Sequence, residues 1–386
     1  MKFLIVLITL CIAIFSLAGC TAGNLTELFS EHLEEPKSTI IEENGTLRLT
    51  ENTTMDCTYS IDGQTLDLNG HTLTLYDTLY MNSGSVIKNG TIVMDDASRT
   101  AISANGNNVT IENVTLKVTG TNFAIGVRAC RTVNVINSKI SVSTTNQDKA
   151  TFAYGISSEL LGGAIIKNSD ITASVKYGTA IAVDIQAEAE IYNSQIKAYA
   201  NYDSDDKDYL SYSIGCRNRG NLHIENSYVY GVHSGIDTSG DTYINGGTYE
   251  GFGHGGIYCS GNGSTYYIYN CVIQAANMPD GFEQIRTART ENGMYVGGGA
   301  NRNNMTIYMD GCNISGIKYD VVLRGSSSEK NNKLYVSNCI FGQNKIRIDN
   351  NTHALFVGKG CNLTDESYTL IEAVFITNEE YKGDYK

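Results

Sequence analysis

AIIKNSDITAS, residues 164–174, brings two short apolar runs together at an asparagine. Its kernel is Ile166, Asn168, Ser169 and Ile171, an aliphatic residue on either side of an Asn-Ser pair. The arrangement returns as IKNGTI with Asn89, IENVTL with Asn113, VINSKI with Asn137 and IYNSQI with Asn193. It returns again as IENSYV with Asn226, IYNCVI with Asn270 and VSNCIF with Asn338, and LNGHTL at Asn69 is a looser copy. Three more copies put glycine in the slot, at Gly246, Gly311 and Gly360. From Asn69 to Gly360 the steps are 20, 24, 24, 31, 25, 33, 20, 24, 41, 27 and 22 residues.

A period in the low twenties with occasional long steps is that of a solenoid with loops inserted at fixed corners. Each copy alternates apolar and polar residues at period two and is rich in Ile, Val, Thr and Tyr, a strand pattern. Asn and Gly accept the left-handed backbone conformation that a sharp corner needs. Asn168 is therefore expected to turn the chain between two strands of one coil. Asparagines stacked at the strand spacing of about 4.8 Å are also able to bond to one another as a ladder. Two Pro, 39 Gly, 25 Tyr and no Trp in 386 residues suit strands and turns, and the unbroken repeat favours one long domain.

On these motifs the chain resembles the right-handed parallel β-helix of the pectin-lyase-like superfamily over residues 61–363. The resemblance implies an all-β solenoid of about 12 coils. It says little about chemistry, because that superfamily spans lyases, hydrolases, epimerases, tailspikes, adhesins and non-catalytic surface proteins.

The N-terminus reads differently. Lys2, the apolar run FLIVLITLCIAIFS and then LAGC at 17–20 have the form of a secretory signal, and LAGC resembles the bacterial lipobox. The expected boundaries are a lipoprotein signal peptide at 1–19, a lipid-anchored tether and capping helix at 20–38, the β-helix at 39–370 and a tail at 371–386. Cys20 is the expected lipidation site, which places the protein at the bacterial cell membrane or surface. Leu25, Leu28, Phe29 and Leu33 lie on one helical face, suited to plugging the first coil. Removing 1–19 takes away Lys2 and moves the formal charge from −13 to −14. Such an acidic chain does not attract nucleic acid through its overall field.

Ten cysteines are present. Cys271, Cys312, Cys339 and Cys361 share the slot that follows the corner residue, where other coils carry Ser138, Ser169, Ser194 and Ser227. A file of small side chains is expected there, as free thiols or as disulfides between neighbouring coils. No Cys-x-x-Cys occurs and the six His are scattered, so no metal site is expected. The acidic run DSDDKD at 203–208 has carboxylates for Ca²⁺ but lacks the Gly and distal Glu of an EF-hand loop, and reads equally as a solvated loop.

A second recurring segment precedes each Asn strand: AIS at 101, AIG at 124, GIS at 155, AIA at 180, SIG at 213, GID at 235, GIY at 256 and GMY at 293. The resemblance makes this the first strand of each coil, whose sheet floors the substrate groove in the superfamily's enzymes. Counted from the aliphatic residue, positions +1 and +3 point outward. They include Asp237, Tyr258 and Tyr295 at +1, and Arg128, Glu159, Asp184 and Arg217 at +3. Insertions at 198–211 and 274–291 fall just before this sheet and would wall it into a cleft. Arg217, Asp237, Tyr258 and Tyr295 are the candidate substrate-binding residues, and an ordinary solvated sheet is the competing reading.

HSGID (233–237) and GFGHGG (251–256) faintly resemble polygalacturonase motifs. Ser234 stands where an Asp is needed, and Asp237 with His254 does not supply the paired carboxylates of glycoside hydrolysis. The expected function is a surface-anchored β-helix lipoprotein, monomeric and without a cofactor, that binds carbohydrate or mediates adhesion. The alternative is a polysaccharide lyase or glycoside hydrolase working in a cleft on the first sheet, with no catalytic residue assigned.

Overall fold

A computed structural model describes residues 39–376 except 96–98, 148–150, 202–210, 285–291, 298–303, 325–331, 343–344, 349–353, 364–367 and 371–373. The signal segment, Cys20, the helix expected at 25–34 and the acidic run at 203–208 lie outside these residues. Two units divide the chain, 1–41 and 42–386, and the second carries the solenoid.

Among the described residues every element is a strand, and neighbouring coils pair in parallel. Thirteen strands form one sheet, the first face, and twenty-five form another that bends around the Asn corner to make the second and third faces. One coil runs from Phe123–Ala129 on the first face, through Val133–Ile136 on the second, to Lys139–Thr144 on the third. The chain is an all-β parallel β-helix.

The corner is the one read from the sequence. Asn69, Asn89, Asn113, Asn137, Asn168, Asn193, Asn226, Asn270 and Asn338 all have φ between 48° and 61°, and Gly246, Gly311 and Gly360 have φ of 70°, 67° and 78°. Asn–Asn side-chain bonds are made by Asn113 to Asn89 at 3.4 Å and by Asn168 to Asn137 at 3.2 Å. Asn270 donates likewise to Asn245, which is outside the file, while Asn89 donates to Asp67 and Asn338 to Asp310. The slot after the corner is bonded more regularly. The hydroxyls of Ser138, Ser169 and Ser194 donate to the carbonyls two residues back at 2.7–2.8 Å. Each serine amide, from Ser138 through Ser194, donates to the next coil's hydroxyl at 3.1 Å. These polar groups are buried, and pairing them offsets a cost of about 1–3 kcal/mol for each left open.

Inside, aliphatic side chains stack in register. On the second face Leu66, Ile87, Ile111, Val135, Ile166, Ile191, Ile224, Ile244, Ile268, Met309 and Val336 form one continuous file with no solvent exposure. Each such side chain stabilises by about 1.5–3 kcal/mol relative to an exposed one. This file carries the solenoid along its whole length, while the loops between faces vary.

Candidate functional site

The first face brings the four sequence candidates together, in a register that counting from the aliphatic residue did not give. The outward file runs Ser103, Arg128, Ser157, Asp184, Arg217, Asp237, Tyr258, Tyr295 and Val322, one residue per coil. The +1 and +3 positions thus merge into one column. The cause is local: in Phe123–Ala129 the residues 124–127 are all buried, and Gly178–Ile185 is buried throughout. Glycines lie at the bend within these strands; a Cβ on Gly126 would sit 2.6 Å from the Gly155 carbonyl oxygen. Where a strand bends, period two no longer counts faces.

Arg217 donates to Asp184 through Nε at 2.8 Å and Nη2 at 2.5 Å, a bidentate pair across neighbouring coils. Asp184 is 5% exposed. Burial disfavours the Arg217 charge, but the hydrogen bond and charge of Asp184 outweigh it and raise its pKa. This guanidinium is engaged rather than free for a ligand. Arg128 forms an exposed pair with Glu159, worth little in water. Asp237 accepts from the Ser260 hydroxyl at 2.6 Å.

Tyr258 and Tyr295 are not open ring faces. Each is 4% exposed, and with Val322 and Tyr319 they form an apolar cluster. The His254 ring lies 4.7 Å from Tyr258 and 4.9 Å from Tyr295, and its Nδ1 meets His233 Nε2 at 2.8 Å. The tyrosines expected to stack on sugar are packing residues of the first face.

The insertion at 274–291 does build a wall, but its described part stands over the third face. Residues 275–279 close one side of a cavity of about 360 Å³ whose floor is Tyr199, Tyr228, Tyr230, Glu250 and Gln274. All five come from four adjacent rungs, the strands Gln195–Tyr199, Tyr228–Gly231, Thr248–Gly251 and Val272–Ala275. Lys197, Tyr230, Glu250 and Gln274 follow one another in register. Tyr228 donates its hydroxyl to Glu250 Oε2 at 2.5 Å, and the Gln274 amide donates to Glu250 Oε1. Tyr199 stacks on Phe282, with centroids 5.7 Å apart and planes at 21°, and lies 5.4 Å from Tyr230. The Glu283 amide bonds to Asn201 at 3.0 Å, so both insertions meet beside the cavity. Lys197 Nζ sits 5.3 Å from the Tyr228 ring centroid. Burial raises the pKa of Tyr199, Tyr228 and Tyr230, with the bond to Glu250 adding to it at Tyr228, so the phenols stay neutral donors at ordinary pH. Sequence reasoning missed these five floor residues. The nearest signal is YVYG at 228–231, which directly follows the Asn226 corner and carries two of the five.

A second aromatic feature lies on the second face. Tyr267, Tyr308, Tyr335 and Phe356 stack in consecutive coils, with centroid separations of 5.4, 4.9 and 4.3 Å and planes within 22°. Their faces are spent on one another. Comparison with protein-family models, characterised proteins and solved structures finds no match for the chain.

Proposed function

We propose that this protein is a β-helix that binds carbohydrate, without transforming it, in the tyrosine cleft of the third face. The carrying observation is the composition of that cleft: the half-buried Tyr199 and Tyr228 beside a buried Tyr230, and a carboxylate–amide pair, on adjacent strands with a loop wall on one side. Aromatic rings offer apolar faces at low entropic cost, and Glu250 with Gln274 supplies directed hydrogen bonds to hydroxyls. Sites held on strands keep their geometry better than sites held on loops. A cavity of about 360 Å³ suits one or two sugar rings of a longer glycan.

Among the described residues lining the cleft, Glu250 is the one acid. Hydrolysis with paired carboxylates needs two, which favours binding over turnover. The resemblance to the pectin-lyase-like superfamily and the lipobox-like LAGC add a setting: a lipoprotein anchored through Cys20 that presents the solenoid to glycans at a bacterial surface.

The test is a glycan array with the wild-type chain and with Tyr199→Ala and Glu250→Gln, followed by an assay for new reducing ends and for unsaturated products. Retention lost in both variants, with no product from the wild type, is the expected result. Retention unchanged in both variants would reject this cleft, and product formation by the wild type would reject the non-catalytic reading.

A further inference from the structure

The four cysteines in the slot after the corner remain outside the proposed binding function. Cys271, Cys312 and Cys339 are buried and Cys361 is half-exposed, and all four are free thiols. They occupy successive coils: Asn313 donates its amide to the Cys271 carbonyl at 2.8 Å, and Ile340 donates to that of Cys312 at 2.8 Å. The Cys271 thiol donates to the Tyr269 carbonyl at 2.9 Å, and the Cys312 thiol lies 3.4 Å from the Ile268 carbonyl.

In-register stacking fixes the spacing of such a file at about 4.8 Å, the distance between neighbouring strands. A disulfide brings its Cβ atoms to about 3.5–4.5 Å, closer than parallel Cα–Cβ bonds on consecutive rungs hold them, and the four thiols are free. Two metal–thiolate bonds of about 2.3 Å placed in line span about 4.6 Å, nearly the rung spacing itself. Among the described residues no three or more His, Cys, Asp or Glu side chains converge on one point. A tetrahedral ion such as zinc therefore finds no ligand set, whereas a two-coordinate ion needs only a pair of neighbours. Thiolate is the ligand that selects soft ions of this kind.

We infer that the file Cys271, Cys312, Cys339 and Cys361 is a binding site for a soft, monovalent, two-coordinate cation of the Cu(I) or Ag(I) class, held between thiolates of adjacent coils. Each ion replaces two S–H bonds by two metal–sulfur bonds and releases two protons to solvent, with no change of oxidation state. Cys361, half-exposed at the end of the file, is the point of entry.

The experiment is an Ag(I) titration of the reduced, full-length chain, read by thiolate-to-silver absorption in the ultraviolet and by the shift in melting temperature. Two variants that each lack two cysteines are compared. Cys312→Ser with Cys339→Ser separates every adjacent pair in the file, and serine already fills this slot at Ser169 and Ser194. Cys57→Ser with Cys130→Ser removes thiols outside the file. The expected result is loss of the absorption band and of the melting shift in the first variant alone. Equal binding by the two variants, or loss in the second, would overturn the inference. If the first variant does not fold, X-ray absorption of the silver-loaded wild type decides instead: two sulfur neighbours support the site, and three or more, or oxygen and nitrogen neighbours, reject it.

Discussion

Asn168→Ala and Asn168→Gly together test why the corner takes the residues it does. Asn168 has φ of 50°, and its amide donates to Asn137 at 3.2 Å on an exposed edge. Alanine removes that bond, worth about 0.5 kcal/mol net at an exposed site. It also holds a Cβ residue in the left-handed region without the local hydrogen bonding that eases Asn there, at about 1–2 kcal/mol. The total is a loss of about 2 kcal/mol. Glycine removes the same bond and adds about 0.5–1 kcal/mol of unfolded-state entropy, but it has no strain to bear, as Gly246, Gly311 and Gly360 demonstrate in the same slot. Its total is about 1 kcal/mol. Urea denaturation followed by far-ultraviolet circular dichroism reads both variants, with Lys167→Ala on the neighbouring exposed strand position as a reference. Glycine should lie between wild type and alanine. An alanine variant as stable as the glycine one would refute the left-handed corner as the reason for the repeat.

Three further outcomes follow from the first face and from the tyrosines. Asp184→Asn leaves Arg217 charged and half-covered without its bidentate partner, and should cost about 3–5 kcal/mol in denaturant titration; pairing it with Arg217→Met should recover much of that loss. Tyr258→Ala and Tyr295→Ala each empty a buried aromatic site and should cost about 3–5 kcal/mol by melting, where surface tyrosines would cost under 1 kcal/mol. In alkali the sign is set by phenols whose pKa is raised in the folded chain: Tyr192, through burial and its bond to Glu190, to about 12, and Tyr228 and Tyr230 further. The folded chain keeps these protons above pH 10, where the unfolded chain releases them, so their stabilisation is complete below pH 10 and lost as pH climbs through 12. Unfolding midpoints should therefore fall from pH 10 upward, less steeply in Tyr228→Phe, and a flat profile would contradict the burial of these rings.

The corner was legible because Asn and Gly recur in one motif for one backbone reason, and the twelve positive-φ positions from Asn69 to Gly360 follow it. The inward aliphatic files were legible for the same kind of reason, since the second and third faces keep period two. The first face did not keep it. Counting aliphatic residues equates Ile125 with Ile102 and Ile156, yet Val127 is their partner in both neighbouring coils. Alternation carries no mark of a bend, so Arg217 and Asp237 were placed in different columns when they are direct neighbours. The cleft was hidden for another reason. An insertion between two faces is free to fold over either, and its sequence position names the corner but not the side. Residues 275–279 lie against Tyr230 and Gln274 on the third face rather than over Tyr258.

Hydrogen–deuterium exchange in the presence of a saccharide retained on the array tests the central claim most directly. The account predicts slowed exchange in peptides covering 228–231, 248–251 and 272–279, with peptides covering 255–259 and 292–297 unchanged. Protection confined to the first-face peptides, or no protection at saturating saccharide, would contradict it.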